Sequence, residues 1–416
     1  MLTFGVEEEF VLLDRGRLSP GNKAATVRRA LFASGFGASE VHREFFQSQL
    51  EYASPVLTDL SAAAAHLSAF RSALSAAAEA HQVQAAGVGT PFDLDGEPAV
   101  SEGARYGDVA AMVRGLTADH QINGLHVHVG IPSRAAGVAA LNGVRRWLPV
   151  LLAISANSPF WRGADTGFAS WRAIHSRRWT TAGCPPVFAG ADDYAHRVRA
   201  LTGIGATADA GTIAWYARLS ERLPTLEFRV ADAQLDAATS VLLAALCRAL
   251  VATALRDTAL RVPTRRAAPR AASGREQPAP ELLDAALWHA ARDGLTSELV
   301  HPVHGGLVPA AQALGALLEE THELAGAGDL AYVEGLLRDT LAHGSGAERQ
   351  RRAVAAGGIT ALGELVRLEM TRPGGSCRAA DTLETTSTPS PPPEDPHERT
   401  CPLAAGPCQR SSRHGT

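Results

Sequence analysis

Three consecutive glutamates, Glu7 to Glu9, lie between apolar residues near the start of the chain, and an apolar run follows from Phe10 to Leu13. This pattern predicts a β-strand whose side chains point to its two faces in turn. Glu7 and Glu9 then share one face and Glu8 lies on the other. Two carboxylates about 7 Å apart repel each other unless a positive charge lies between them. A hard divalent cation with oxygen ligands would supply that charge. The alternative explanation is a solvated edge strand.

A second strand is predicted at 44–55, with a less regular pattern. Glu44 and Glu51 have opposite parity in it, so they point to opposite faces unless a bulge intervenes. A short strand is predicted at 83–88. In residues 121–130 the alternation is strict, which places His126 and His128 on one face and aliphatic residues on the other.

Two further strands are predicted at 213–218 and 224–232. In the second of these, Glu227 and Arg229 share a face, and Leu226, Phe228 and Val230 lie behind them. Helical periodicity or length predicts helices at 59–81, from 133 through the buried run 147–154 with a kink at Pro149, and at 236–256, 281–293, 307–325, 329–342 and 346–370.

Between the elements, residues 157–172 have no clean period and predict a polar and aromatic loop of the kind that forms binding surfaces. Residues 261–280, rich in Pro, Arg and Ala, predict a linker. From 372 to 416 the composition shifts to Pro, Ser, Thr and Gly, which predicts a disordered tail. The folded domain is therefore expected at 1–371.

Composition narrows the function classes. The chain has 416 residues, 46% hydrophobic and 20% charged, as in a soluble globular protein. Its net charge of −4 gives no basic surface for nucleic acid or for an acidic membrane. We expect neither a membrane span nor a signal peptide. None of the five cysteines is in C-x-x-C spacing, which fits a cytoplasmic protein.

One face of the predicted sheet would carry an unusual number of ionisable groups: Glu7, Glu9, Glu51, His126, His128, Glu227 and Arg229. Glu44 is a further candidate for this face. Carboxylates with one or two imidazoles suit Mg²⁺ or Mn²⁺, whereas zinc usually takes more nitrogen or sulfur ligands. Such ions would let an acidic surface bind a polyphosphate, and the chain has no P-loop sequence to do so.

Each of these signals has an ordinary alternative. The two histidines could be hydrogen-bonded polar residues of a half-exposed strand, or part of a zinc hydrolase site. Glu227 and Arg229 could form a structural ion pair, and the tryptophans and arginines of the loop could pack together through cation–π contacts.

Six stretches, in chain order, resemble the glutamate–cysteine ligase type 2 family, and more narrowly the bacterial YbdK-like carboxylate–amine ligases. They lie at 5–10, 44–55, 125–130, 157–161, 225–230 and 346–351. The resemblance implies an α+β fold, in which an antiparallel sheet is curved into a funnel with flanking helices, related to the glutamine synthetase catalytic domain. It also implies ATP, Mg²⁺ and often a homodimer.

The resemblance assigns roles position by position. Glu7, Glu9, Glu44, Glu51, His126 and Glu227 match the metal-binding positions, while Glu227, Arg229 and His126 are the expected catalytic residues. Arg229, Arg172 and His128 are the expected nucleotide- or substrate-binding residues. The family usually has Trp-Asp-Val-Arg where this chain has Trp215-Tyr216-Ala217-Arg218.

The implied activity is ATP-dependent ligation of a carboxylate, by default glutamate, to an amine, by default cysteine, through an acyl phosphate. YbdK-like members imply that this particular activity is weak. Two alternatives remain at this point. One is a metal-dependent hydrolase that uses His126 and His128, and the other is a non-catalytic protein that binds nucleotides or amino acids on the same scaffold.

Overall fold

The computed structural model describes residues 2–259, 278–322 and 327–374. Its strands are β1 (Phe4–Leu13), β2 (Val41–Arg43), β3 (Gln49–Ala53), β4 (Gln84–Ala86), β5 (Gly124–Gly130), β6 (Phe160–Trp161), β7 (Ala164–Asp165), β8 (Ala217–Leu219), β9 (Thr225–Asp232), β10 (Glu298–Val300) and β11 (Leu307–Pro309).

Its helices are α1 (Ala24–Ala33), α2 (Leu60–Ala80), α3 (Ala104–Val113), α4 (Arg134–Val144), α5 (Leu148–Ser155), α6 (Trp171–Ser176), α7 (Ala191–Gly203), α8 (Ala237–Ala259), α9 (Pro280–Asp293), α10 (Ala310–Thr321), α11 (Ala327–His343) and α12 (Gly346–Met370). Short 3₁₀ turns lie at Arg114–Asp119, Arg145–Trp147 and Ala210–Thr212.

The main sheet is antiparallel and open, with the strand order β2-β3-β1-β5-β9-β8 and with β4 added beside the end of β1. The two small hairpins, β6 with β7 and β10 with β11, lie outside it. The predicted α+β class and antiparallel sheet are confirmed. Because β1 is central, the residues of the first predicted strand pair with strands from three later parts of the chain.

One face of this sheet is covered by α2 and α8, as Glu8 of β1 shows. The Glu8 carboxylate accepts hydrogen bonds from Arg71 of α2 at 2.6 and 3.0 Å and from Ser240 of α8 at 2.5 Å. Arg71 also donates to the backbone oxygens of Gln234 and Leu235, so both charges are buried and paired. Glu8 is therefore a structural residue, and the predicted site residues lie on the opposite face, which carries Glu7 and Glu9.

The stretch predicted as one strand, 44–55, is instead a turn followed by a strand. β2 ends at Arg43, residues 44–48 form the turn, and β3 begins at Gln49. The side chain of Gln49 fixes this turn by accepting from the backbone N–H of Phe46 at 3.2 Å. A hairpin turn breaks strict alternation, so the opposite parity of Glu44 and Glu51 no longer separates them.

Several other boundaries also differ from the prediction. The helix predicted from 133 is interrupted by a 3₁₀ turn, and Pro149 lies in the first turn of α5, where its missing N–H costs nothing, instead of kinking a helix. The predicted strand 213–218 is reduced to β8, and the start of the predicted helix 307–325 is strand β11. Helices α1, α3 and α7 were not predicted.

Two helical stretches, 134–155 and 237–259, are long and apolar enough to span a membrane, whereas no membrane span was predicted from the sequence. In each, 83% of the apolar window is buried inside the protein, as in core helices of soluble proteins. Asp236 caps the second by accepting from the N–H of Thr239 at 2.8 Å.

Two predicted segments fall largely outside the described residues, namely 261–277 of the linker and 375–416 of the tail. The described chain packs through Gly374, whose N–H donates to Ser68 at 2.9 Å and whose oxygen accepts from Tyr332 at 2.6 Å. The boundary between domain and tail remains a prediction.

Candidate active site

Cross-strand pairing places the predicted site residues in a row across the open face. Glu9 lies directly opposite Glu51, and Glu7 lies opposite His126. Further along, Glu227 lies between its two neighbours, His128 on β5 and Arg218 on β8. Residues directly opposite each other on antiparallel strands share a face, so the sheet register brings these groups together.

A register shift in the β5–β9 pairing places Arg229 beside this row. Leu125 pairs with Ala231, but Val127 pairs with Phe228, so β9 contains one extra residue there. Bulges of this kind redirect side chains and are common beside functional sites. Arg229 reaches the Glu227 carboxylate at 2.5 Å from its Nη1 atom, as their shared face predicted.

Three groups of ligand atoms lie close enough to hold a cation, each with all its atoms within 4.8 Å of one another. They are Glu7, Glu51 and His126, then Glu7, His128 and Glu227, and lastly Glu9, Glu44 and Glu51. Glu44 thus joins the cluster by way of the 44–48 turn. The six predicted metal ligands meet at one place, together with His128.

The two histidines contact the same carboxylate. Nδ1 of His126 lies 3.1 Å from Glu7 Oε2, and its Nε2 lies 3.6 Å from Glu9 Oε1. Burial, together with the charge of Arg229, lowers the pKa of His126, so the neutral imidazole is favoured. Nδ1 of His128 is bonded to Thr225 Oγ1 at 2.9 Å. Its buried Nε2 is 3.3 Å from Glu7 Oε1 but makes no well-aligned hydrogen bond.

The crowding of carboxylates raises the pKa of two of them, Glu44 in the 44–48 turn and Glu51 on β3. Burial and the negative charge of Glu9 raise the pKa of Glu44 to about 8. Burial and the carboxylates of Glu7 and Glu44 raise the pKa of Glu51 well above its ordinary value. For Glu7, burial acts in the same direction, but the hydrogen bonds of the two histidines outweigh it and lower its pKa. The cluster therefore has an excess of negative charge that a cation would relieve.

Glu227 is held by two arginines. Arg218 donates from Nε to Oε2 at 2.9 Å and from Nη2 to Oε1 at 3.1 Å, and Arg229 also donates to Oε1. Burial raises the pKa of Glu227, but the charges of Arg229 and Arg218 outweigh this effect, so the pKa is lowered. Sequence reasoning gave no role to Arg218. The available signal was its place in the stretch Trp215-Tyr216-Ala217-Arg218, where it matches the arginine of the family sequence Trp-Asp-Val-Arg.

Tyr216, which stands where the family usually has Asp, is buried. Its hydroxyl bonds with Ser176 Oγ at 2.9 Å and donates to Ala173 O at 3.1 Å, so it ties β8 to α6.

Arg172 of α6 lies beside the row and contacts backbone instead of the clustered carboxylates. It donates to Arg229 O at 3.1 Å and Val230 O at 3.4 Å, and its buried Nε has no partner in the structure. Gly124 makes this approach possible, because a Cβ there would lie 2.4 Å from Nη2 of Arg172. The N–H of Gly124 in turn donates to Glu9 Oε2 at 2.6 Å.

The donor set fits Mg²⁺ or Mn²⁺. Within the described ranges, each candidate group has two or three carboxylates and at most one imidazole, the composition expected for hard cations. In the second group, Nε2 of His128 supplies the nitrogen donor, 3.3 Å from Glu7 Oε1. A zinc site would be expected to contain more nitrogen or sulfur.

Comparison with known proteins gives consistent matches along most of the chain. The family described as glutamate-cysteine ligase family 2 (GCS2) matches residues 3–368. A protein of Saccharopolyspora erythraea, provisionally named glutamate–cysteine ligase 2-2, is 40% identical over 86% of this chain and 89% of its own length. A protein of Salinispora arenicola, provisionally named glutamate–cysteine ligase 2, is 41% identical over 84% and 90%.

Two solved structures are similar in fold. A glutamate–cysteine ligase of Francisella tularensis, in complex with AMP, has a TM-score of 0.61 at 12% identity and covers 89% of both chains. A bifunctional glutathione synthetase of Pasteurella multocida has a TM-score of 0.61 at 16% identity, over 89% of this chain and 51% of its own. At these identities the similarity concerns the fold, and it agrees with the architecture described above.

Proposed function

Since this chain belongs to glutamate–cysteine ligase family 2, and is therefore an ATP-dependent ligase that joins a carboxylate to an amine, we propose that it forms a γ-glutamyl amide. The proposed substrates are glutamate or a similar acid, and the amino group of cysteine or of a related amine. The observation that supports this most is the meeting of Glu7, Glu9, Glu51, His126 and Glu227 on one face of the sheet.

The proposed chemistry follows from the poor reactivity of a carboxylate toward an amine in water. A carboxylate oxygen attacks the γ-phosphorus of ATP, and the bond to the β-phosphate oxygen breaks, which gives ADP and an acyl phosphate. The amine then attacks the acyl carbon, inorganic phosphate leaves and the nitrogen loses a proton. No protein nucleophile is needed in this sequence.

Mg²⁺ bound by Glu7, Glu9, Glu44, Glu51, His126 and Glu227 would neutralise the charge of the phosphate groups. The chain itself supplies the surroundings. Arg229 provides a positive charge next to the cluster, which would stabilise the negative charge of the phosphoryl group in transfer. Arg218 fixes the orientation of Glu227, and the lowered pKa of His126 keeps its lone pair available.

Arg172 and His128 are proposed to contact the nucleotide or the amino-acid carboxylate. Arg172 contributes a buried guanidinium with an unpartnered Nε. We further propose that the protein is cytoplasmic, in keeping with the absence of C-x-x-C spacing, and that it forms a homodimer, as the family resemblance implies.

An ADP-release assay tests the function directly. The enzyme is incubated with ATP, Mg²⁺, glutamate and a panel of amines that includes cysteine, with each component omitted in turn. ADP formed only with both acid and amine, and an amide of the corresponding mass, supports the ligase. Metal-dependent hydrolysis without ATP would favour the hydrolase alternative. Nucleotide binding without turnover on any pair would favour the non-catalytic alternative.

A further inference from the structure

Arg229 neutralises a carboxylate that also belongs to a candidate cation group. Its Nη1 lies 2.5 Å from Oε1 of Glu227, and Glu227 shares a group with Glu7 and His128. A guanidinium stays protonated throughout the pH range in which proteins are folded, so the side chain of Arg229 is a permanent positive charge beside the cluster. A cation that binds Glu227 therefore meets a positive charge already in place.

The two arginines that hold Glu227 are anchored very differently. Nη1 of Arg218 donates to the backbone oxygens of Gly211 at 2.6 Å and Ile213 at 2.8 Å, with a longer contact to Ala210, and its side chain is only 9% exposed. The side chain of Arg229 is 26% exposed, and its side-chain hydrogen bond in the structure goes to Glu227. Turning Arg229 away from Glu227 would therefore break one side-chain hydrogen bond, whereas moving Arg218 would also break its hydrogen bonds to the backbone.

We propose that Arg229 is an exchangeable counter-ion, which pairs with Glu227 in the unliganded protein and turns to the phosphate groups of a bound nucleotide once a divalent cation takes its place on Glu227. This inference rests on the proposed function. Arg218 remains on Glu227 throughout and keeps its carboxylate in position.

The exchange couples the two ligands. Cation binding must break the contact between Arg229 and Glu227, and this cost weakens the binding of the cation. The break also frees the guanidinium of Arg229 to bind an anion. By linkage, each ligand then strengthens the binding of the other by the same factor. A positive charge bonded only to Glu227 would oppose the cation and contribute nothing to the nucleotide.

Manganese binding tests this without turnover. Free Mn²⁺ is followed by EPR in titrations of the full chain, without nucleotide, for the wild type and for Arg229→Gln, Arg229→Lys and Arg43→Gln. Arg43 is the matched control, since it is an exposed arginine next to Glu44, at the end of β2. Arg229→Gln should bind Mn²⁺ about tenfold more tightly than the wild type, because a charge-assisted hydrogen bond no longer competes. Arg229→Lys and Arg43→Gln should stay within about twofold.

Calorimetry with ADP gives the second arm. In EDTA, the ADP affinity of Arg229→Gln should stay within about twofold of that of the wild type. At saturating Mn²⁺, the variant should bind ADP about tenfold more weakly than the wild type does. Unchanged or weaker Mn²⁺ binding by Arg229→Gln would overturn the exchange, as would an equal gain in Arg43→Gln. A wild type that binds no Mn²⁺ would instead overturn the metal site of the proposed function, and the exchange with it.

Discussion

Arg218 holds the carboxylate of Glu227 with two parallel hydrogen bonds, at 2.9 and 3.1 Å. Lysine keeps the charge but cannot make this paired contact. Arg218→Lys should therefore lower turnover at least about tenfold and also lower the melting temperature. Arg349→Lys is the matched control, because Arg349 is equally buried and pairs with Asp236 at 2.8 Å away from the site. It should lose stability but keep its activity, and an equal loss of activity in both variants would contradict a positioning role for Arg218.

Glu227→Gln removes the negative charge while keeping the shape of the side chain. Since Glu227 belongs to a candidate cation group, turnover should fall at least about a hundredfold. The amide oxygen can still accept from Arg218, so the circular dichroism spectrum should be that of the wild type. Glu298→Gln, at an exposed position of β10, should retain full activity. Unchanged turnover in Glu227→Gln would remove this residue from the site.

Glu51→Gln should separate stability from function, because Glu51 belongs to two candidate groups and is repelled by the carboxylates around it. A carboxyl whose pKa is raised on folding loses stability as the pH rises above its ordinary value. In EDTA at pH 8, the variant should therefore melt about 1–3 °C above the wild type.

The same variant should lose most of the increase in melting temperature that Mn²⁺ gives to the wild type. Differential scanning fluorimetry with and without Mn²⁺ measures both effects. Glu221→Gln, on the exposed β8–β9 turn, is the control and should behave as the wild type. A Glu51→Gln protein that is less stable in EDTA would show that the repulsion is not what limits stability.

Gly124→Ala tests the close approach of Arg172. The added methyl would lie 2.4 Å from the Arg172 guanidinium, which must then give up its backbone partners on β9. We expect a cost of about 1–3 kcal/mol and an increase in the KM of ATP or of the acid. Gly107→Ala in α3, where nothing lies within 4 Å of the new methyl, should be neutral or slightly stabilising. An unchanged KM would place Arg172 outside the binding site.

His175 should make the fold sensitive to acid. Burial and the positive charge of Arg178 lower the pKa of this histidine to about 4. The unfolded chain takes up this proton near pH 6.5 and the folded one does not, so stability is lost as the pH falls from about 6.5 to 4, by up to about 3 kcal/mol.

Urea unfolding at several pH values measures this loss. His175→Asn, which can still donate to Asp119 O, should show a shallower decline than the wild type. His196→Asn, at an exposed position, should leave the decline unchanged. An equally steep decline in His175→Asn would assign the acid sensitivity to other groups.

The strict alternation around His126 and the apolar residues that flank Glu7 to Glu9 made much of the sheet predictable, because the period of two in a strand fixes which residues share a face. It could not show which strands are neighbours, since that depends on packing of distant segments. The position of Glu44 was beyond the pattern for a different reason. Its sequence reads as a strand, and the turn at 44–48 depends on contacts such as the one from Gln49.

Arg218 shows the limit of reasoning from single strands. Its own segment has little alternation, and its partner Glu227 becomes evident only when β8 and β9 are paired. Helix α7 was missed because charged and small residues dominate its sequence and few large apolar residues mark its buried face. The family resemblance supplied the ligand set that periodicity alone left open.

The row from Glu51 to Arg218 draws its members from β3, β1, β5, β9 and β8, and β9 comes late in the sequence. During synthesis, a ribosome-bound chain that has released only β1 to β5 has most of the acids but neither Glu227 nor the two arginines. Two of the three candidate cation groups are therefore complete in the residues from β1 to β5, whereas the group that contains Glu227, and the two arginines that hold it, are completed only when β8 and β9 have been made.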